Sequence, residues 1–76
     1  MTDKPLKNKI KVFRAMMDWT QEDLARQVNV TRKTINTIEN RVYIPSAYLA
    51  LKIARAFGVT VEEVFQIDDG VSENKD

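Results

Sequence analysis

The chain has 76 residues, 43% of them hydrophobic, with a formal charge of +1 and neither cysteine nor histidine. That length suits a single domain, and the two missing residue types remove disulfides, thiol chemistry, the commonest general base and the commonest metal ligand. No catalytic residue, metal, cofactor or small-molecule ligand is therefore expected. With no apolar run near 18 residues and no signal-peptide pattern, a soluble cytoplasmic protein without a membrane partner is expected.

Helical spacing dominates the sequence. Leu6, Ile10, Phe13 and Met17 recur at steps of four, three and four, which predicts a helix over about 6–17. Thr20 then caps a second helix, about 21–28. Its first turn carries Glu22 and Asp23, and Trp19 and Leu24 form a hydrophobic staple. Thr31, flanked by Val30 and Ile35, starts a third helix over about 32–39. Pro45-Ser46 opens a fourth over 47–57, which Gly58 ends. Thr60 starts a fifth over 61–66, with Val59 and Val64 as staple and Glu63 completing a capping box. The fold class is all-α, with Phe65-Gln66-Ile67 open to reading as a short C-terminal strand. Residues 1–5 and 68–76 read as disordered tails around a domain at 6–67.

Charge is unevenly distributed. Residues 1–57 carry eleven Lys and Arg against five Asp and Glu, whereas residues 58–76 carry one Lys against six acids. A basic body with an acidic end suits a polyanion partner, and it also suits a solvated surface with an acidic solubility tail. The third helix speaks to the choice. Only Asn29, Val30 and Thr31 separate it from the second helix, the turn length of a helix-turn-helix. Asn29 sits where the chain enters the left-handed region, which Asn tolerates best after Gly. With Ile35 and Ile38 facing inward, Arg32, Lys33, Asn36 and Thr37 share the solvent face. These are side-chain types able to read base edges. Cations at a helix start are mildly unfavourable in the free fold, so a polyanion would supply the return. An ordinary solvated helix face carries the same residues.

The stretches TQEDLARQVNVTRKTINTIENRVYIPS and LALKIARAFGVTVEEVF closely resemble the Xre/Cro-type phage-repressor helix-turn-helix family over residues 6–67. The resemblance implies a compact five-helix repressor-like domain that places its third helix in the major groove of double-stranded DNA. Arg32, Lys33, Asn36 and Thr37 match base-reading positions, and Thr31, Thr34 and Asn40 match backbone-holding positions. Gln21 matches a residue that bonds phosphate and props the first recognition-helix side chain. Arg14 and Glu39 match a partly buried ion pair, although two solvated charges would fit the pattern too. Trp19 is expected as a core anchor. Arg41 replaces the usual Gly, so either it or Asn40 must take a special conformation. A phosphate contact is expected from Arg41, and a hydroxyl contact from Tyr43.

The expected function is sequence-specific transcriptional regulation, by repression from a pseudo-palindromic operator. The alternatives are an antitoxin or an interaction module that has lost DNA binding. A homodimer is expected through Val61, Val64, Phe65 and Ile67, more apolar side chains than a short terminal helix can bury.

Overall fold

The computed structural model describes residues 4–69. In chain order its elements are β1 (Leu6–Asn8), α1 (Ile10–Met17), α2 (Gln21–Val28), α3 (Arg32–Glu39), α4 (Ala47–Phe57), α5 (Val61–Val64) and β2 (Phe65–Ile67). Residues 1–3 and 70–76, most of the two expected tails, lie outside the described residues.

Four helix starts follow from local chemistry. The side chains of Thr20, Thr31, Ser46 and Thr60 each accept the backbone N–H three residues on, from Asp23, Thr34, Leu49 and Glu63. Each bond satisfies one amide that the helix itself leaves orphaned. The capping box at Thr60 and Glu63 forms as expected, and a second one forms at Thr20 and Asp23. The Thr20 backbone N–H, with the Thr20 hydroxyl and Arg26 adding to it, holds the Asp23 carboxyl below its ordinary range. Three helix ends use left-handed residues: Asp18 (φ 59°), Asn29 (φ 61°) and Gly58 (φ 75°). Asn29 thus fills the turn position that its residue type suggested.

The first expected helix is shorter than its apolar spacing implies. Leu6–Asn8 is a strand, antiparallel to β2 with Leu6 opposite Ile67 and Asn8 opposite Phe65. Asn8 separates strand from helix: its Oδ1 accepts the Ile10 N–H, and its Nδ2 donates to the Ile38 carbonyl. The pairing extends at both ends, through the Lys9 N–H to Val64 and the Asp68 N–H to Pro5. Pro5 and Asp68, expected in the tails, therefore belong to the folded body.

Ile10, Leu24, Val28, Ile35, Ile38, Ile53 and Val64 are fully buried, and Ala25, Leu49, Ala54, Phe57 and Phe65 complete the core. Phe57 stacks between Phe13 (5.4 Å) and Trp19 (5.7 Å), so Trp19 is a core anchor. The dimer expectation needs correction at two positions. Val64 and Phe65 are not surface residues: Val64 closes α5 in the chain's own core, and β2, paired with β1, carries Phe65 there too. Ile67, two strand positions later on the same side as Phe65, remains 77% exposed.

Candidate nucleic-acid interface

Helices α2 and α3 pack against each other through Leu24, Ala25, Val28, Ile35 and Ile38, all buried. This packing turns the opposite side of α3 outward, so Arg32, Lys33 and Asn36 are exposed and Thr37 is half-buried. The contrast between helix starts is chemical. The first turns of α2 and α5 hold acids, whereas that of α3 holds none and begins with two cations. Each such cation costs the free helix about 0.3–1 kcal/mol at low ionic strength.

Below the exposed face lies the expected ion pair. The Arg14 guanidinium grips Glu39 through two bonds, Nε to Oε2 at 2.6 Å and Nη2 to Oε1 at 3.2 Å. The Glu39 side chain is only 5% exposed. Arg14 Nη1 donates to the Trp19 carbonyl, so one side chain ties α1, the α1–α2 turn and the end of α3 together. Gln21 extends the set. Its Nε2 donates to Glu39 Oε1 (3.1 Å) and to Asn36 Oδ1 (3.1 Å), and Asn40 Nδ2 donates to the same Asn36 oxygen (3.3 Å). The prop from Gln21 thus lands on Asn36 rather than on the first side chain of α3. Positions 36, 39 and 40 share one helix face, and a single amide nitrogen can bridge the first two.

The remaining expected positions divide. Thr31 and Thr34 sit at the helix start with their hydroxyls 3.1 Å apart, and Thr37 Oγ1 donates back to the Thr34 carbonyl. Tyr43 comes beside Lys33, Thr34 and Thr37, where with Val42 it lines a shallow cleft of about 380 Å³. Val42 is 73% exposed there, a feature missed in the sequence because nothing local marks an exposed valine as unusual.

Arg41 departs from its expected phosphate role. It, not Asn40, takes the left-handed conformation, with φ at 63°. Its guanidinium donates to the carbonyls of Leu6 and Lys4 and to the Asp68 carboxylate at 2.8 Å. It clamps the strand pair to the end of α3. Three of its five N–H donors are thus engaged within the fold, on two carbonyls and an acid that partly offsets its charge.

Comparison with known proteins agrees with this geometry. A family model described as helix-turn-helix matches residues 10–64. An uncharacterized HTH-type transcriptional regulator of Methanocaldococcus jannaschii is 50% identical over 64 residues, covering 84% of this chain and 97% of that one. One from Bacillus subtilis is 45% identical with the same coverage. Among solved structures, a hypothetical transcription factor from Neisseria is 30% identical with a TM-score of 0.67. That match covers 71% of this chain but 62% of the other, less than two thirds of its length. A candidate DNA-binding protein from Bacteroides fragilis is 26% identical with a TM-score of 0.72, covering 80% of this chain and 98% of that one.

Proposed function

The chain belongs to the Xre/Cro-type helix-turn-helix family, and on that premise we propose that it is a sequence-specific DNA-binding transcriptional regulator with α3 in the major groove. The observation that carries this reading is the first turn of α3: two exposed cations and no acid, on the helix face opposite the core. Arg32 and Lys33 would meet guanine edges or phosphate, and Thr37 would offer its methyl to thymine. Gln21, through its backbone N–H at the start of α2, and Thr31, Thr34, Asn40 and Tyr43 border the same face and would set register on the backbone.

Selection from random DNA with the purified protein, followed by binding at several salt concentrations, tests the reading. A defined site is expected, with log K falling by about 0.9 per neutralised phosphate per log unit of salt. Arg32→Ala is expected to relax the choice of base, at about 1–3 kcal/mol of discrimination. Flat salt dependence and no selected site would instead favour an interaction module.

Regulation by repression from a pseudo-palindromic operator fits the same reading, since occupancy alone can block a promoter. A homodimer would place two copies of α3 about 34–36 Å apart on successive turns of DNA. The supporting surface is a shallow groove of about 610 Å³ between α4 and α5, lined in part by Tyr48, Leu51, Val59 and Val61. Tyr48 is 72% and Leu51 57% exposed, and neither lies on α2 or α3. With Val61 half-buried at the groove and Ile67 exposed, two of the four expected interface residues remain available.

A further inference from the structure

We infer that Asn36 reads DNA as a hydrogen-bond donor only, and that it therefore selects guanine rather than the adenine its residue type suggests. The inference rests on the proposed DNA-binding reading and deepens it.

The chain of contacts begins at Glu39. Gripped by both arms of Arg14, its carboxylate offers acceptors only. Gln21 faces Glu39 Oε1 and must present its nitrogen there, because its carbonyl would meet another oxygen. The same nitrogen is 3.1 Å from Asn36, so Asn36 must offer its oxygen in return. Asn40 then donates to that oxygen as well. The amide orientation of Asn36 is thus imposed through Gln21 by the charge pair one turn further along the same side of α3.

Two consequences follow for an exposed side chain on the reading face. Both lone pairs of Asn36 Oδ1 are occupied, while no partner among the described residues takes its two Nδ2 hydrogens. Bidentate pairing with adenine needs asparagine to accept from N6 and donate to N7. It would require breaking a bond from Gln21 or Asn40. Guanine presents two major-groove acceptors, O6 and N7, and matches a donor-only amide with the network intact.

The test starts from the site selected by the wild-type protein. Asn36→Ala identifies the base pair that Asn36 reads, as the position where preference relaxes. A G·C pair is expected. Replacing its guanine by 7-deazaguanine, which lacks N7 but still pairs with cytosine, should weaken wild-type binding by about fivefold to tenfold, the scale of one hydrogen bond, and leave Asn36→Ala unaffected. Gln21→Met removes the imposed orientation and frees a lone pair. Its preference for guanine over adenine at that pair should fall toward unity, whatever uniform loss of affinity it also shows. Circular dichroism of each variant separates unfolding from altered reading. An A·T pair at that position, an unrelaxed preference in Asn36→Ala, or a guanine preference unchanged in folded Gln21→Met would each overturn the inference and leave the DNA-binding reading standing. Failure of the wild type to select any site would overturn both.

Discussion

Arg14 and Glu39 form a bidentate ion pair between α1 and the last residue of α3, with 15% and 5% of their side chains exposed. Breaking a pair this deep leaves one charge without its partner, at a cost of about 3 kcal/mol or more. Domains of this size without disulfides rarely have more than about 3–5 kcal/mol to lose. Arg14→Met and Glu39→Leu are each expected to leave a largely unfolded population at room temperature. The double variant Arg14→Met/Glu39→Leu should recover much of the loss, because no buried charge remains. Urea unfolding of the four proteins supplies the cycle, and additive losses would show that the pair is not coupled.

Arg41 separates structural from DNA-contacting cations. Its guanidinium holds Leu6, Lys4 and Asp68, so Arg41→Ala is expected to lower stability by about 1–3 kcal/mol. The left-handed backbone at Arg41 offsets part of any comparison, and Arg41→Gly should therefore be less harmful than Arg41→Ala. Salt titrations should give Arg41→Ala the wild-type slope, whereas Lys33→Ala should reduce it by about 0.9. A reduced slope in folded Arg41→Ala would restore the phosphate contact that its sequence position suggested.

What the sequence disclosed depended on distance along the chain. The caps at Thr20, Thr31, Ser46 and Thr60 were legible because donor and acceptor lie three residues apart. The exposed face of α3 was legible from Ile35 and Ile38, which fix the opposite side. Strand β1 was not, since Leu6 and Ile10 fit a helical step of four and the partner Ile67 lies some sixty residues away. The burial of Phe65 and the capture of Arg41 both follow from that unforeseen pairing. At the candidate site the residues were visible but their polarity was not. The orientation of Asn36 depends on Gln21 and Glu39 from two different helices.

Asp23 gives a pH signature. Its carboxyl accepts the Thr20 N–H, the largest cause of its lowered pKa, and Arg26 adds a 2.9 Å bond. A carboxyl with a folded pKa below its unfolded value stabilises the fold above the unfolded value, near 3.8, and loses that contribution as pH falls through the folded one. Wild type and Asp23→Asn should therefore differ in stability at neutral pH and converge at low pH. Thermal melts at a series of pH values check the convergence. A constant difference at all pH values would mean that the capping box acts without its charge.

A dimer through the α4–α5 groove makes a prediction that a monomer cannot imitate. Leu51 and Tyr48 are largely exposed, so in a monomer Leu51→Asp falls among surface changes worth within about ±0.5 kcal/mol. In a dimer the same carboxylate would be buried against the partner without a counterion, which costs several kcal/mol and dissociates the pair. Leu51→Asp is therefore expected to sediment as a folded monomer at micromolar concentration and to lose operator affinity, while its α3 is unchanged. Ile67→Asp tests whether the exposed end of β2 joins the same interface. Val64→Asp is the contrasting variant, because Val64 is fully buried in the chain's own core and its substitution should unfold the protein in either state. Wild-type stability should rise with protein concentration, as mass action requires when folding and association are linked. Sedimentation of the wild type as a monomer, with a melting temperature unaffected by dilution and by Leu51→Asp, would reject the dimer and leave pairing to occur only on DNA.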